Sequence, residues 1–299
     1  MKKVQRSMII LCLVAIAFLY KAIDSQNLAM GMIVFLLILL ILSRWYIIKT
    51  LEKDDGKPVS TKSDFIYRYF EDDLFLFAEM KEVYRLGNCD VLYEENDGIL
   101  LYDHTSKNYY SSAKTLAGAK DIAHKLPQDY GMLIAHDEFL LQLDKNEFSY
   151  QGLLKFYNHV YDKRTKYIIP ENDFTFKMLD EQYLEIIKKH YSIEELCDDE
   201  YLLGRIKDGM MGAFIDEKIV GFIGIHDNGA VGLLEVFPEY QGKHIATYLQ
   251  CNYVNYLIDK KYEGTIYTQT KENNEISIRI QKKLNFRKAE KLALWFFEK

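Results

Sequence analysis

Apolar runs and short polar turns alternate regularly over residues 171–299. The pattern first predicts a strand, two helices and three further strands, over residues 174–178, 180–191, 193–207, 210–215, 219–225 and 230–237. It then predicts a helix, a strand, a helix and a strand, over residues 241–260, 265–270, 274–284 and 291–297. An antiparallel meander followed by a strand–helix–strand crossover predicts an α+β fold, with a mixed sheet and helices on its faces.

Two local signals support this reading. Asn228-Gly229 lies between two of the strands, and Asn-Gly is a strong hairpin signal. Ser192 precedes the second predicted helix, where a hydroxyl can cap the first free N–H groups.

Residues 64–170 show a second series of elements. A helix is predicted over residues 64–85, followed by a hairpin whose turn contains Asp97-Gly98. The further elements are three strands, over residues 109–112, 131–135 and 156–161, and two helical stretches, over residues 113–125 and 137–143. The series is either a degenerate counterpart of the C-terminal domain or an unrelated α+β domain.

Two apolar runs, residues 8–20 and 28–42, open the sequence and are separated by a polar turn. A spanning helix needs about 20 apolar residues. We therefore expect a hairpin of two transmembrane helices, at about residues 7–23 and 28–48, if Lys21 and Arg44 extend to the lipid headgroups. A cleaved signal peptide and a pair of buried core helices are the alternatives.

Basic residues flank this hairpin on its outer sides. They are Lys2, Lys3, Arg6, Arg44, Lys49 and Lys53. The positive-inside rule then places both ends, and the domains that follow, in the cytoplasm. Residues 51–63 are polar and are expected to form a linker from the lipid bilayer.

The net charge of −6 argues against a nucleic-acid partner, because no basic excess is present to neutralise phosphates. The four cysteines, Cys12, Cys89, Cys197 and Cys251, are scattered without a CxxC pair. This distribution indicates a reducing compartment, with neither a disulfide framework nor a metal site.

The most informative stretch lies where a strand ends near Phe237, a polar turn follows, and residues 241–246 begin a long helix. The first N–H groups of a helix lack partners within the helix, and the helix dipole favours negative charge there. A strand, a tight loop and a new helix together predict a site for an anion such as a diphosphate.

The residues around this loop resemble the GNAT N-acetyltransferase superfamily. Its usual diphosphate signature is Arg/Gln-x-x-Gly-x-Gly/Ala, and the chain has Gln241 with Ala246 after Val-Phe-Pro. A later signature, Asn-x-x-Ala/Ser ending in Leu-Gly-Phe, corresponds to Asn274-x-x-Ser277 and residues 283–286. His244 stands where a glycine is usual, and Gln281 stands where a tyrosine is often found.

The resemblance implies a GNAT-like acyl-CoA N-acyltransferase fold with acetyl-CoA, or another acyl-CoA, as co-substrate. It implies that the strand around Val236 binds the pantetheine and thioester, that the loop amides bind the diphosphate, and that the later motif lines the CoA arm. The implied cofactor-binding residues are Val236, Phe237, Gln241, Gly242, Lys243, His244, Ile245, Ala246, Asn274 and Ser277.

Glu235 is the candidate catalytic residue. It points to the strand face opposite that of Leu234 and Val236, so its carboxylate can take a proton from an amine beside the thioester. The alternative is a solvated strand carboxylate.

Two functions follow from these features. The first is a membrane-anchored N-acyltransferase that transfers an acetyl or short acyl group to an amine acceptor on the cytoplasmic side. The second is a non-catalytic acyl-CoA sensor with the same fold. A variant of the first has both halves of the chain working as one enzyme.

Overall fold

The computed structural model describes residues 63–193 and 198–298. Asp64–Lys299 is one compact unit. The predicted membrane hairpin lies outside the described residues. Among the residues that are described, no helix has the length and apolar character needed to span a bilayer.

Seven α-helices lie within the described ranges. They are α1 (Asp64–Glu71), α2 (Ala78–Leu86), α3 (Leu116–Lys125), α4 (Leu184–His190), α5 (Asp199–Gly209), α6 (Ile245–Asp259) and α7 (Glu275–Lys283). Three short 3₁₀ turns, Phe139–Gln142, Glu181–Tyr183 and Pro238–Tyr240, complete the helical structure of this part of the chain.

Twelve strands form two sheets in the same part of the chain. They are β1 (Cys89–Glu95), β2 (Gly98–Asp103), β3 (Asn108–Ala113), β4 (Met132–Ala135), β5 (Gly152–Val160), β6 (Thr175–Met178), β7 (Met211–Ile215), β8 (Lys218–Ile225), β9 (Val231–Val236), β10 (Tyr267–Lys271), β11 (Arg287–Lys288) and β12 (Ala293–Phe297). The larger sheet has the order β1-β2-β3-β4-β12-β5-β10, with β11 also paired to β5. The smaller sheet is the antiparallel meander β6-β7-β8-β9.

Each predicted strand is present, although β5 begins four residues earlier than expected and β11 was not predicted. The helical stretch expected over residues 137–143 is only the 3₁₀ turn Phe139–Gln142. Three longer helix predictions also need correction. The helix expected over residues 64–85 is interrupted, because Asp73 Oδ1 accepts hydrogen bonds from the N–H groups of Phe75 and Leu76. A short polar side chain that bonds nearby backbone competes with the helix. The single helix is therefore two helices, α1 and α2.

Two helices also begin later than expected. The side chain of Asp198, rather than Ser192, caps α5 by accepting hydrogen bonds from Glu200 and Tyr201 N–H. Helix α6 begins at Ile245 because the preceding loop includes residues with positive φ.

Strands from the two sides of the predicted domain boundary at residues 170/171 alternate in the larger sheet. β12 pairs antiparallel with β4 on one side (Leu294 with Ala135) and with β5 on the other (Leu294 with Lys155). β10 in turn pairs with β5. The predicted division into domains at residues 64–170 and 171–299 stays a prediction, while the hydrogen-bonded sheet is continuous across it.

Helices cover both faces of each sheet. Helices α1 and α2 pack on one face of the larger sheet and α3 packs on the other, which explains why Ile99, Leu100 and Leu101 are all buried. On the smaller sheet, α6 packs on one face and α4 with α5 on the other. Strand β9 is therefore an edge strand with helices above and below it.

Helix α2 buries two carboxylates, Glu79 and Glu82, each 0% exposed. Glu79 Oε1 accepts from Asn228 Nδ2 at 2.9 Å, and its Oε2 accepts from Gln269 Nε2 at 2.9 Å. Asn228 belongs to the β8–β9 turn and Gln269 to β10. One carboxylate of the first segment therefore connects the two sheets.

Glu82, three residues later, lies on the same face of α2. Its Oε2 accepts hydrogen bonds from Arg85 Nε at 2.9 Å and from the Tyr262 hydroxyl at 3.0 Å. Its Oε1 accepts from the N–H of Thr265. A buried carboxylate needs such partners, because removing an unpaired charge from water costs several kcal/mol.

A fragment of residues 63–170 should not fold on its own, because β4 and β5 would lose β12, their shared neighbour. Circular dichroism and urea unfolding should show little cooperative structure in this fragment, whereas residues 63–299 should unfold cooperatively. A sharp two-state transition in the shorter fragment would contradict the prediction.

Candidate active site

Strand β9 contains a β-bulge between Gly232 and Glu235. Phe222 of β8 faces Glu235, but Gly224 faces Gly232, so two residues advance on β8 while three advance on β9. Leu233, inside the bulge, has φ +50°. A non-glycine residue in the left-handed region is strained, and the strain requires support from its surroundings.

His226 provides that support. The Leu233 N–H donates to His226 Nε2 at 3.3 Å, and His226 Nδ1 lies 2.8 Å from the hydroxyl of Tyr201. Because Nε2 accepts, the imidazole proton lies on Nδ1 and points to Tyr201. A side chain at Gly232 would lie 2.5 Å from Nε2, so only glycine fits there. Burial lowers the pKa of His226 to about 4, which keeps the ring neutral.

The exposed edge of β9 presents main-chain donors. Phe237 N–H donates to Val220 O at 3.0 Å, and Val236 faces Gly221 in the ladder. Consecutive residues of an antiparallel strand direct their N–H groups to opposite sides. The Val236 N–H therefore points away from β8, toward the free edge of the smaller sheet.

The loop after β9 is open and has two left-handed residues. Gly242 has φ +79°, and no atom lies within 4 Å of the position that a Cβ would take. His244 has φ +61° and makes no capping bond with its side chain. Glycine adopts this conformation without strain, which explains why a glycine would suit position 244. Residues 241–244 are exposed, and Ile245 and Ala246 begin α6 beside them.

The side chains around the loop favour an anion. Gln241 Nε2 donates to Val236 O at 3.1 Å, which holds the loop against the strand. The ammonium groups of Lys243 and Lys218 each lie 5.4 Å from the centroid of the Tyr240 ring. Two cations, an uncapped helix start and an open loop form the arrangement that binds phosphate groups.

Glu235 points away from α6, as predicted from strand alternation. Its Oε1 accepts hydrogen bonds from the N–H of Ser192 at 3.1 Å and from the Ser192 hydroxyl. No hydrogen-bond partner of Oε2 is present among the described residues. The carboxylate is thus oriented through one oxygen, and the other can take a proton.

Two residues beside Glu235 were not predicted for this site. Ser192, interpreted from sequence as a helix cap, orients the carboxylate instead. The ring of His190 stacks on Phe237, with centroids 3.7 Å apart and an interplanar angle of 13°. His190 is the last residue of α4 and Ser192 lies two residues beyond it, but no sequence spacing connects either of them to a strand more than 40 residues later.

The later motif forms a helix cap. Asn274 precedes α7, and its side-chain oxygen accepts from Ser277 N–H at 3.1 Å. Asn274 is exposed and Ser277 is half-buried. This cap explains the spacing of the Asn-x-x-Ser motif by local geometry.

Gln281 lies in the interior and is 4% exposed. It forms a reciprocal amide pair with Gln250 of α6, with N···O distances of 2.6 and 3.1 Å. The pair joins α6 to α7. Gln281 therefore has a structural role, at a position where the resemblance would place a proton donor.

Residues 173–286 match the model of the Acetyltransferase (GNAT) family. The predictions of a GNAT domain and of an acetyl-CoA-dependent acyltransferase are confirmed at the level of this domain family. Among curated proteins, none matches the chain significantly.

Several solved structures are similar to this chain at low sequence identity. A Drosophila protein is 12% identical over 68% of this chain and 74% of its own, with a TM-score of 0.56. A GCN5-related N-acetyltransferase-like protein from Streptococcus suis is 14% identical over 72% and 92%, with a TM-score of 0.46. PaiA N-acetyltransferase from Thermoplasma acidophilum, in complex with coenzyme A, is 19% identical over 42% and 98%, with a TM-score of 0.34.

Because buried His226 is neutral in the folded protein, we expect the fold to be less stable in acid. Its folded pKa of about 4 lies below the value of about 6.5 in an unfolded chain, so only the unfolded chain takes up a proton between these pH values. The contribution of His226 to the free energy of unfolding is complete above pH 6.5 and is lost as the pH falls toward 4. This loss amounts to at most roughly 3 kcal/mol.

His226→Gln should flatten this dependence, because glutamine can still accept from Leu233 N–H but does not titrate. Urea unfolding at pH 7, 5.5 and 4.5 measures it. His159, buried on β5 with a pKa also lowered to about 4, supplies the control, because His159→Gln should flatten the profile without affecting β9. If the free energy of unfolding of both variants fell with pH as steeply as that of the unmodified protein, the two buried histidines would not be the cause of the acid sensitivity.

Proposed function

Because residues 173–286 form a domain of the GNAT acetyltransferase family, we propose that the protein is an N-acyltransferase that moves an acetyl or short acyl group from acyl-CoA to an amine. The observation that carries the proposal is the open loop at residues 241–244, which joins an edge strand with free N–H groups to a helix start without a side-chain cap.

The loop suits the diphosphate of acyl-CoA. The N–H groups at the start of α6 supply hydrogen bonds, and Lys243 and Lys218 supply positive charge. The left-handed backbone at Gly242 and His244 gives the loop its sharp bend. The His244 imidazole is exposed, so it leaves the main-chain donors accessible.

The edge of β9 suits the acyl group. The Val236 N–H would donate to the thioester carbonyl oxygen as negative charge develops on it, a contribution that in other enzymes is worth several kcal/mol. The bulge held by His226 sets the position of this donor along the strand. Bulge, donor and carboxylate all lie within four residues of each other.

Glu235 would act as the general base. The amine nitrogen forms a bond to the acyl carbon, the carbon–sulfur bond breaks, and the sulfur leaves with the electron pair. The proton lost by the amine goes to Glu235 Oε2, while Ser192 holds Oε1. Gln281 takes no part because it is buried in its pair with Gln250. A thiol with a pKa near about 8.5 can leave without an acid.

Acyl transfer predicts amine-dependent release of free thiol. The full chain in detergent, mixed with acetyl-CoA and a panel of amines, should release thiol with at least one of them. Glu235→Gln should lower turnover about 100-fold or more, since general-base catalysis is worth about that much, and should leave acetyl-CoA affinity nearly unchanged. Acetyl-CoA binding without amine-dependent release would favour the sensor function instead.

Two glycines provide a matched pair for the binding step. Gly242→Ala and Gly131→Ala both place a side chain at positive φ in open space, so the strain is similar. Only Gly242 lies in the proposed diphosphate loop. Calorimetry should therefore show weaker acetyl-CoA binding for Gly242→Ala alone, and equal affinities for the two variants would count against the loop.

We also propose that residues 7–48 anchor the protein in a lipid bilayer as two spans, with the acyltransferase domain on the cytoplasmic side. The support is the pair of apolar runs and the basic residues outside them. A single apolar run of this length would be marginal, but two joined by a short polar turn can insert together.

The anchor predicts a difference between two forms of the chain. The full chain should float with phosphatidylcholine vesicles and resist extraction at high pH, whereas residues 63–299 should stay in the aqueous fraction. Flotation of both forms, or of neither, would contradict an anchor confined to residues 7–48.

A further inference from the structure

A cavity of about 670 Å³ opens where the parallel strands β3 and β4 diverge. Its buried floor includes His136 and Asp137, which follow β4, and Phe77 of the α1–α2 connection. Lys291, which precedes β12, lies at its exposed rim. None of the lining residues belongs to β9 or to the loop after it, so this cavity is separate from the candidate active site.

The segment β3–α3–β4, whose strands are parallel, has the same strand–helix–strand order as β9–α6–β10. The protein's own oxygen atoms, however, occupy or cover the donors of this segment. Asp137 Oδ2 accepts the Ala113 N–H at 2.7 Å. Asp97 covers the start of α3, where a side chain at Gly118 would lie 2.5 Å from its carbonyl oxygen. A diphosphate therefore has no place here.

The floor offers acceptors instead of donors. Asp137 is 9% exposed, and within the described part of the chain its oxygens accept hydrogen bonds only from the N–H groups of Ala113 and Phe139. It has no ion-pair partner among residues 63–193 and 198–298. Burial raises the pKa of Asp137, and its two backbone hydrogen bonds together with His136 and Lys291 offset this effect only in part.

His136 adds a second incomplete group. It is 1% exposed, and its Nε2 has no hydrogen-bond partner although it lies 3.5 Å from Glu79 Oε2. Its Nδ1 lies 3.3 Å from the carbonyl oxygen of Ser111, a pairing in which Nδ1 donates. With Nδ1 donating to Ser111 and Nε2 facing Glu79, neither ring nitrogen donates a hydrogen bond to Asp137.

Negative charge also predominates at the rim of the cavity. Lys114 is paired with Asp72, which leaves Lys291 as an unpaired cation at the rim among the described residues. Glu138 and Glu290 are exposed nearby and outnumber it. Apolar walls from Leu76 and Phe77 lie beside this charge, so the cavity can accommodate a hydrocarbon chain as well as a charged group.

We propose that this cavity is a binding site for a small organic cation, with a primary ammonium group placed against Asp137 and an aliphatic chain against Leu76 and Phe77. The ammonium group supplies the donors that the floor lacks, and its charge compensates the buried carboxylate. The proposal is independent of acyl transfer, because it uses no residue of the β9 site.

Calorimetry on the full chain in detergent tests whether the cavity binds an organic cation. The probes are n-butylammonium and putrescine, and butyrate is the control of opposite charge. Both amines should bind saturably, and butyrate should not. Asp137→Asn should weaken amine binding about tenfold or more, because it removes the charge and keeps an acceptor. Acetyl-CoA affinity should stay unchanged, which separates this site from the first.

Lys291→Gln gives a test at an exposed position that does not endanger the fold. Removing this rim cation should tighten amine binding by about threefold, whereas Lys145→Gln, an exposed lysine outside the cavity lining, should have no effect. The proposal is overturned if neither amine binds at millimolar concentration, if butyrate binds equally well, or if Asp137→Asn and Lys291→Gln leave amine affinity unchanged.

Discussion

The arrangement of the two sheets depends on the burial of two carboxylates, Glu79 and Glu82, on one face of α2. Neither side chain reaches water, so each has to find donors inside the protein. Glu79 finds them on the β8–β9 turn and on β10, and Glu82 finds them on the segment that leads into β10. The same bonds that compensate these charges hold the beginnings of β9 and β10 together. At the far end of β9, where the loop of residues 241–244 begins, the described part of the chain shows no such buried carboxylate.

A second constraint acts along β9 itself. The bulge at Leu233 is strained, and a neutral imidazole holds it in place. The loop that follows needs left-handed backbone at positions 242 and 244. Both features cost conformational energy, and both lie where a substrate would be held. Strain of this kind is commonly retained at functional sites because it fixes donors in a geometry that relaxed backbone would not adopt.

Sequence patterns predicted the elements well and their partners poorly. Alternation located β9 and the face of Glu235, and Asn228-Gly229 located its hairpin, because these signals are local. The start of α6 was placed four residues early, since nothing in the apolar pattern reports the positive φ of His244. The contact between Ser192 and Glu235 depends on how α4 packs on the meander. Apolar spacing shows that β12 is buried but does not identify its neighbours.

The position of β12 has a consequence for how the molecule is made. Residues 293–297 form a central strand that two earlier strands both require. During synthesis, β4 and β5 emerge from the ribosome long before this strand, and their facing edges stay unpaired until translation passes residue 297. Unpaired edges invite association with other chains. A nascent chain of this protein should therefore depend on protection by chaperones late in its synthesis, even though five of the eight strands of the larger sheet end by residue 160.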